Sequence, residues 1–430
     1  MSPFRKAVVA ALATGELCEL ESAGNDLWSA HFRWLDRSGL ALPLAVQLLN
    51  SSPARLSRAV ATALLNRLND NQLRMTAMLE SLALIQQALT NSGVSFCVLK
   101  GFSLIPECYA SIRERHQVDF DFLIDIRDAS AAMSAVEPLG YMLLSSSRSG
   151  EIRLSKPWQN RLNAHSWLYD ISEGPALELH SRLWEPETTL VDFAIPTGAL
   201  SDIETTAIRG VRIPRLTPAW QFVSLVLHAF RHLVDSWLRL ISLYEISLYI
   251  RREENNCELL QRVIQVADAD SSMAAAFALV LGMVRFQFLD RLPHVLAVWC
   301  DRHLTSESAL WLRHYSESWL FADPPGTKLS LLVQRQFSGS TQAWRAYLLR
   351  RLLPPKAPDH LCENATPQAQ RSISYSIDDA LYRFGRLGYH LRSNWQLLRA
   401  YAGWSNLMRV KRTQAAPPAN GLMSADESRT

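Results

Sequence analysis

The chain has little of what marks a secreted, disulfide-built or membrane-spanning protein. Its six cysteines, Cys18, Cys97, Cys108, Cys257, Cys300 and Cys362, are scattered with no C-x-x-C pair. That argues against a zinc framework or redox motif and for a reduced, cytoplasmic chain. No run approaches the ~20 apolar residues that a spanning helix needs, because the longest, Met273 to Val284, is interrupted by Arg285. The N-terminal apolar run, Ala7 to Ala13, is too short for a secretory leader and is followed at once by acids. A large excess of one charge is also missing, since the formal net charge is +3. With 48% hydrophobic and 20% charged residues the composition is that of a globular chain, which excludes global disorder. At 430 residues it has room for two or three domains.

What the chain does have is a pair of aspartates in an apolar run. Val98 to Asp125 reads VLKGFSLIPECYASIRERHQVDFDFLID, with Asp119 and Asp121 two residues apart. In a β-strand both carboxylates project from one side while Phe120 and Phe122 face the other. Two like charges side by side repel unless a cation neutralises them. Mg²⁺, which takes oxygen ligands and is usually held by carboxylates together with substrate phosphates, fits that need. Farther on, Ala176 to His180 alternates as a half-buried strand that places Glu178 and His180 on one face.

The L-K-G at Leu99 to Gly101, Arg115 four residues before Asp119, the D-F-D-F-L-I-D strand and the L-E-L-H-S-R-L-W run at Leu177 to Trp184 resemble the uncharacterised nucleotidyltransferase family of the polymerase-β superfamily. The match is closest over residues 94 to 184. It continues more loosely through His228 to Ile246 and Tyr347 to Pro355. The resemblance implies an α+β fold with a polymerase-β-like mixed sheet of about five strands, embedded in a predominantly helical chain. It implies Mg²⁺-dependent transfer of a nucleoside monophosphate from an NTP such as ATP to an acceptor, by a two-metal mechanism with Mg²⁺ or Mn²⁺. Asp119, Asp121 and Glu178 would be the catalytic metal ligands. Lys100, Gly101, Ser103 and Arg115 would hold the triphosphate, with Phe102 standing where the superfamily commonly has Gly or Ser. His180, His232, Arg239 and Glu245 are further cleft candidates. The acceptor, whether sugar, carrier-bound intermediate, RNA or protein, is not legible. The alternative is a catalytically inactive descendant kept as a binding or regulatory module.

Periodicity divides the chain further. Residues 1–66 read as a helical cap broken at Gly39, Pro43 and Pro53, residues 67–215 as the α/β core, 216–322 as a helical domain, 323–412 as a basic helical region and 413–430 as a disordered tail. A helix over Asn66 to Thr90 leads to a strand at Val94 to Leu99, a turn at Lys100-Gly101 and a helix from Phe102 to about Ala110. Arg127 to Pro138 reads as a helix, and Gly140 to Leu144 and Asn163 to Ile171 as strands. A turn at Ser172 to Pro175 precedes the Ala176 strand. Thr217-Pro218 opens a helix running to about Arg251, and Pro324-Pro325-Gly326 and Pro354-Pro355 mark later breaks. Charge is uneven. Leu331 to Arg412 carries thirteen basic and four acidic residues, interleaved with aromatics. The simplest reading is a solvated helical face, with an anionic partner such as nucleic acid, a membrane face or a glycan phosphate as the alternative.

Overall fold

A computed structural model describes residues 2–51, 53–147, 150–156, 168–169, 175–186, 191–196, 198–324, 326–353 and 373–415. Seven strands form one mixed sheet: β1 (Phe96–Leu99), β2 (Asp119–Ile124), β3 (Met142–Ser146), β4 (Ile152–Ser155), β5 (Ala176–His180), β6 (Ile203–Ile208) and β7 (Val211–Leu216). Their order is β3-β4-β5-β2-β1-β7-β6. β2 pairs parallel with β5 and antiparallel with β1, so the two strands carrying the acids lie side by side near the middle.

The sheet exceeds the expected five strands because β4 and the β6–β7 hairpin escape sequence reading. β4 is only four residues long. The hairpin turns on Arg209-Gly210, both with positive φ (48° and 84°), as a two-residue turn demands. Pro214 inside β7 argues against a strand paired on both sides. It is accommodated because β7 meets β1 only at Val98 opposite Arg215.

Local chemistry explains the other departures. Gly39, with φ 80°, ends the helix Asn25–Ser38, but Pro43 does not break the chain. It sits in the first turn of Ala41–Ser51, where an absent N–H costs nothing. The next helix begins at Arg58 rather than Asn66, with the Ser57 hydroxyl accepting from the Val60 amide, and runs to Asn91. The helix expected after Gly101 is a single 3₁₀ turn, Gly101–Leu104. Pro106 holds Ile105 in extended backbone (φ −103°, ψ 132°), which a helix cannot continue through. The helix expected to reach Arg251 is two helices, Pro218–Val234 and Leu240–Arg252, separated where Ser236 adopts φ 63°.

Outside the described residues lie most of the strand expected at Asn163 to Ile171, the turn residues Ser172 to Gly174, the breaks at Pro325 and Pro354-Pro355, and the tail beyond Ala415. Among described residues the cysteines are all free. Ser271–Phe288 has the length and composition of a membrane span, yet most of its side chains, from Met273 to Phe288, are buried within the fold. It serves as a core helix.

The helix Arg58–Asn91 also braces the site. Its buried Asn71 donates to the Arg113 and Arg115 carbonyls at 2.9 and 3.0 Å, and its Arg74 donates to the Gln117 carbonyl at 3.3 Å. These bonds satisfy the backbone of the irregular segment entering β2, which would otherwise be buried with unpaired carbonyls.

Candidate active site

In the parallel β2–β5 pair Asp121 stands opposite Glu178, and Leu123 opposite His180. Asp119, Asp121, Glu178 and His180 therefore share one side of the sheet. The reverse side carries Phe120, Phe122, Leu177 and Leu179, all fully buried. Burying each of those four stabilises by about 1.5–3 kcal/mol. A register slip of one residue would drive the carboxylates into that core, so apolar packing on one side fixes the acid positions on the other.

Asp121 is the centre of a charge cluster. Lys100 Nζ and His180 Nε2 each donate to Asp121 Oδ1 at 3.0 Å. His180 Nε2 also lies 3.6 Å from Glu178 Oε2, and Arg153 Nη2 donates to Glu178 Oε1 at 2.8 Å. One donor atom from each of Asp121, Glu178 and His180 lies within 4.8 Å of the other two, and the same holds for Glu151, His180 and Glu185. His180 thus sits between two carboxylate groups. Among the described residues no hydrogen bond or ion pair reaches the Asp119 carboxylate, whose strand neighbour is the small Ala176.

The electrostatics follow from burial and charge. Burial, together with Asp121 and Glu178, pushes Asp119 up to about 7 against the opposing pull of Lys100 and Arg115. Burial also opposes ionisation of Asp121, but Lys100 and His180 outweigh it and hold Asp121 below the usual carboxylate range. His180 is raised, since its bond to Asp121 outweighs the cost of burial. His228 and His232 are held well below the ordinary histidine value by burial and the nearby Lys100.

These groups floor a cleft of about 340 Å³. The helix Pro218–Val234 supplies His228, Arg231 and His232, the connection after it supplies Asp235, Trp237 and Arg239, and the helix Leu240–Arg252 supplies Glu245. The broken helix matters here, because the break is what brings Trp237 and Arg239 to the cleft.

All the residues singled out in the sequence line this cleft except Ser103. Ser103 is buried on the other side of its turn, where Gln221 Nε2 donates to its carbonyl at 2.7 Å and its hydroxyl at 3.1 Å. Arg115 is engaged: its Nε donates to Glu245 Oε1 at 2.7 Å, and Tyr109 donates to the same oxygen at 2.9 Å. Gly101, with φ 47°, faces the Gln117 side chain, which a Cβ would overlap. Gln117 in turn donates to the Asp119 carbonyl at 2.6 Å. The glycine therefore makes room for a brace on the acid strand. His232 Nε2 is 2.8 Å from His228 Nε2, and Arg239 donates to the Arg37 carbonyl at 3.0 Å.

Sequence reading passed over Glu151, Arg153, Arg231 and Trp237. The first two lie at or beside β4, the strand it missed. Arg231 pairs with Glu151 at 2.8 Å and stands inside the H-A-F-R-H run, between His228 and His232. Trp237 is 49% exposed and meets the His232 ring edge-on at 4.1 Å between centroids. Among the described tryptophans only Trp237 and Trp395 are exposed, whereas the others are buried in the core.

The model of a family described as uncharacterised nucleotidyltransferase matches residues 25–283, a span that contains the whole sheet and the whole cleft lining. The chain belongs to that family. Nucleotidyl transfer in general is therefore the chemistry of this nucleotidyltransferase, and the seven-stranded mixed sheet is its fold. A search of curated proteins finds no match. Among solved structures, the antibiotic-resistance factor ANT(2″)-Ia is similar at 14% identity, covering 45% of this chain and 91% of its own, with a TM-score of 0.31. A nucleotidyltransferase-like antigenic protein from Paracoccidioides brasiliensis is similar at 13% identity, covering 48% and 93%, with a TM-score of 0.27. Likeness at that level carries no argument about mechanism.

The nucleotidyltransferase cleft also makes a pH prediction. Burial, with Arg239 and Arg74 nearby, pushes His116 down to about 3, and its Nε2 donates to the Leu168 carbonyl at 3.0 Å. A histidine depressed in the folded state takes up its proton first in the unfolded chain. Its contribution to stability is complete above the unfolded value of about 6.5 and is lost as pH falls toward 3, by at most about 2 kcal/mol at pH 5. Urea melts at pH 7.5 and pH 5 should show a loss that His116→Gln reduces. An identical loss in the variant would rule out His116 as its source.

Proposed function

We propose that this nucleotidyltransferase moves a nucleoside monophosphate from an NTP to an acceptor, with Mg²⁺ or Mn²⁺ held by Asp119, Asp121 and Glu178. The observation that carries the reading is that these three carboxylates share one side of adjacent strands and line one cleft with Lys100, Arg153 and Arg231, where ligand atoms of Asp121 and Glu178 lie within 4.8 Å of each other and of His180, and Asp119 stands outside that group. The donor set is oxygen-rich and suits a hard divalent cation. Asp119, pushed up to about 7 by burial together with Asp121 and Glu178, is a carboxyl whose ionised form added positive charge would favour. Two ions bound there would neutralise charge on the transferred phosphoryl group and favour the attacking oxyanion.

The chain's own groups do the positioning. Lys100 and Arg231 attract the triphosphate, and the exposed face of Trp237 offers a stacking surface for the base. The acceptor oxygen forms its bond to the α-phosphorus, the bond from that phosphorus to the pyrophosphate oxygen breaks, and pyrophosphate leaves. The acceptor's proton passes to Glu178. One observation favours the rival reading of an inactive binding module: Lys100 already engages the Asp121 oxygen that a cation would take.

Thermal-shift titration with ATP, GTP, CTP and UTP, each with and without Mg²⁺, separates the two. Transfer predicts that one NTP and Mg²⁺ together stabilise more than either alone, the NTP at 100 times its dissociation constant in the presence of Mg²⁺ adding about 2.7 kcal/mol over the protein without nucleotide. It also predicts that an α-phosphate label then appears on an acceptor or on the chain. Nucleotide binding indifferent to Mg²⁺, with no label transfer, would leave the binding module standing.

A further inference from the structure

The helix Ile373–Ala415 is apolar on two opposite sides. One side is docked. Ser393, Leu397 and Trp404 are buried, the Lys328 amide donates to Ser393 Oγ at 2.8 Å, and the Tyr315 hydroxyl donates to the Ala400 carbonyl at 3.2 Å. Roughly half a turn away, at 3.6 residues per turn, stand Phe384, Leu391, Trp395 and Leu398, each between 56% and 73% exposed. Leucines on the outer face of a docked helix are not what a solvated face requires. The stripe continues through Leu398 and Tyr401 into an apolar cavity of about 680 Å³ beside Leu348 and Leu352 of the neighbouring helix Thr341–Leu352.

Charge decides what covers it. From residue 380 to residue 412 there are seven arginines and lysines and no aspartate or glutamate. Arg392 and Arg399 are exposed beside the stripe, and the Arg399 guanidinium lies 4.9 Å from the centre of the Trp395 ring. A second copy packed on this face would set one cationic helix against another, which repels. A nucleic acid would use the cations and the aromatics but has no partner for the aliphatic side chains of Leu391 and Leu398, because bases stack on rings. An anionic bilayer satisfies all three features: leucine and phenylalanine enter the acyl boundary, tryptophan sits at the interface, and arginine meets lipid phosphates.

We propose that the outward face of Ile373–Ala415 docks the protein on an anionic phospholipid surface. The proposal is independent of the nucleotidyl-transfer reading. Flotation of the full chain with vesicles is the test, comparing phosphatidylcholine alone with phosphatidylcholine containing about one third phosphatidylglycerol. The anionic vesicles should bind at least about tenfold more tightly, and less so as salt is raised. Leu391→Glu with Trp395→Glu, and separately Arg392→Glu with Arg399→Glu, should each abolish most of that binding while leaving the melting temperature unchanged, since all four side chains are exposed. Equal binding to both vesicles, or none, would overturn the proposal. So would self-association in sedimentation that Leu391→Glu abolishes, or tighter binding to single-stranded RNA than to the anionic vesicles.

Discussion

Asp119→Asn combined with Asp121→Asn is expected to reduce label transfer by about 10³-fold or more and to remove the joint stabilisation by NTP and Mg²⁺. The magnitude follows from the several kcal/mol that bound cations supply to phosphoryl transfer, at about 1.4 kcal/mol per tenfold in rate. The fold should survive, because asparagine fills the same space and the apolar core of β2 lies on the other side of the sheet. Asp121→Asn alone should already cost most of the effect. It leaves the Lys100 ammonium and the His180 imidazole without the carboxylate they share. Measurement of transfer and melting temperature on the same preparations checks both halves. Full joint stabilisation in the double variant would remove the metal assignment from these two residues.

Glu245→Ala should be among the most destabilising substitutions in the chain, costing about 3–5 kcal/mol. Glu245 accepts from both Arg115 and Tyr109, and its side chain and that of Arg115 are 6% and 12% exposed. Removing the acid leaves a guanidinium with little access to water and without the carboxylate it is hydrogen-bonded to. Removing both partners, as Arg115→Ala with Glu245→Ala, should cost less than the sum of the two single losses, because no charge is then stranded. Urea denaturation of the four proteins in that cycle gives the coupling directly. Additive losses would mean that the pair acts as two separate packing contacts. The pair ties the segment before β2 to the helical half of the cleft, so the single variants should also weaken nucleotide binding even under conditions where they remain folded.

The placement of the acids shows how far local pattern reaches. A period of two in D-F-D-F-L and A-L-E-L-H is enough to put two aspartates on one side of one strand, and a glutamate and a histidine on one side of another. Alternation is a local property of extended backbone. The apolar positions of Arg58–Asn91 and the turn residues around Gly39 are legible for the same reason. The ends of elements are less so. Pro43 reads as a break and proves to be a first-turn proline, and the helix after Gly101 shrinks to one turn because Pro106 controls the residue before it.

Pairing is out of reach of local pattern. Alternation does not say that β5, rather than β3 or β4, lies against β2; the family resemblance alone offers Glu178 as a partner of the aspartates, and the pairing of β2 with β5 is what sets Asp121 beside it. The same holds for Arg115, which the sequence offers as a phosphate ligand and the fold engages with Glu245, a residue 130 positions later. Ser103 faces Gln221, and Gly101 makes room for Gln117, through packing that the neighbouring residues do not announce. Which residue types share a strand face or a helix face is written in the order of amino acids, because it follows from backbone geometry repeated over a few residues. Which faces meet, which charges are consumed in pairs and which remain at the cleft is settled only on folding, because burial and Coulombic partnership depend on distances between segments far apart along the chain.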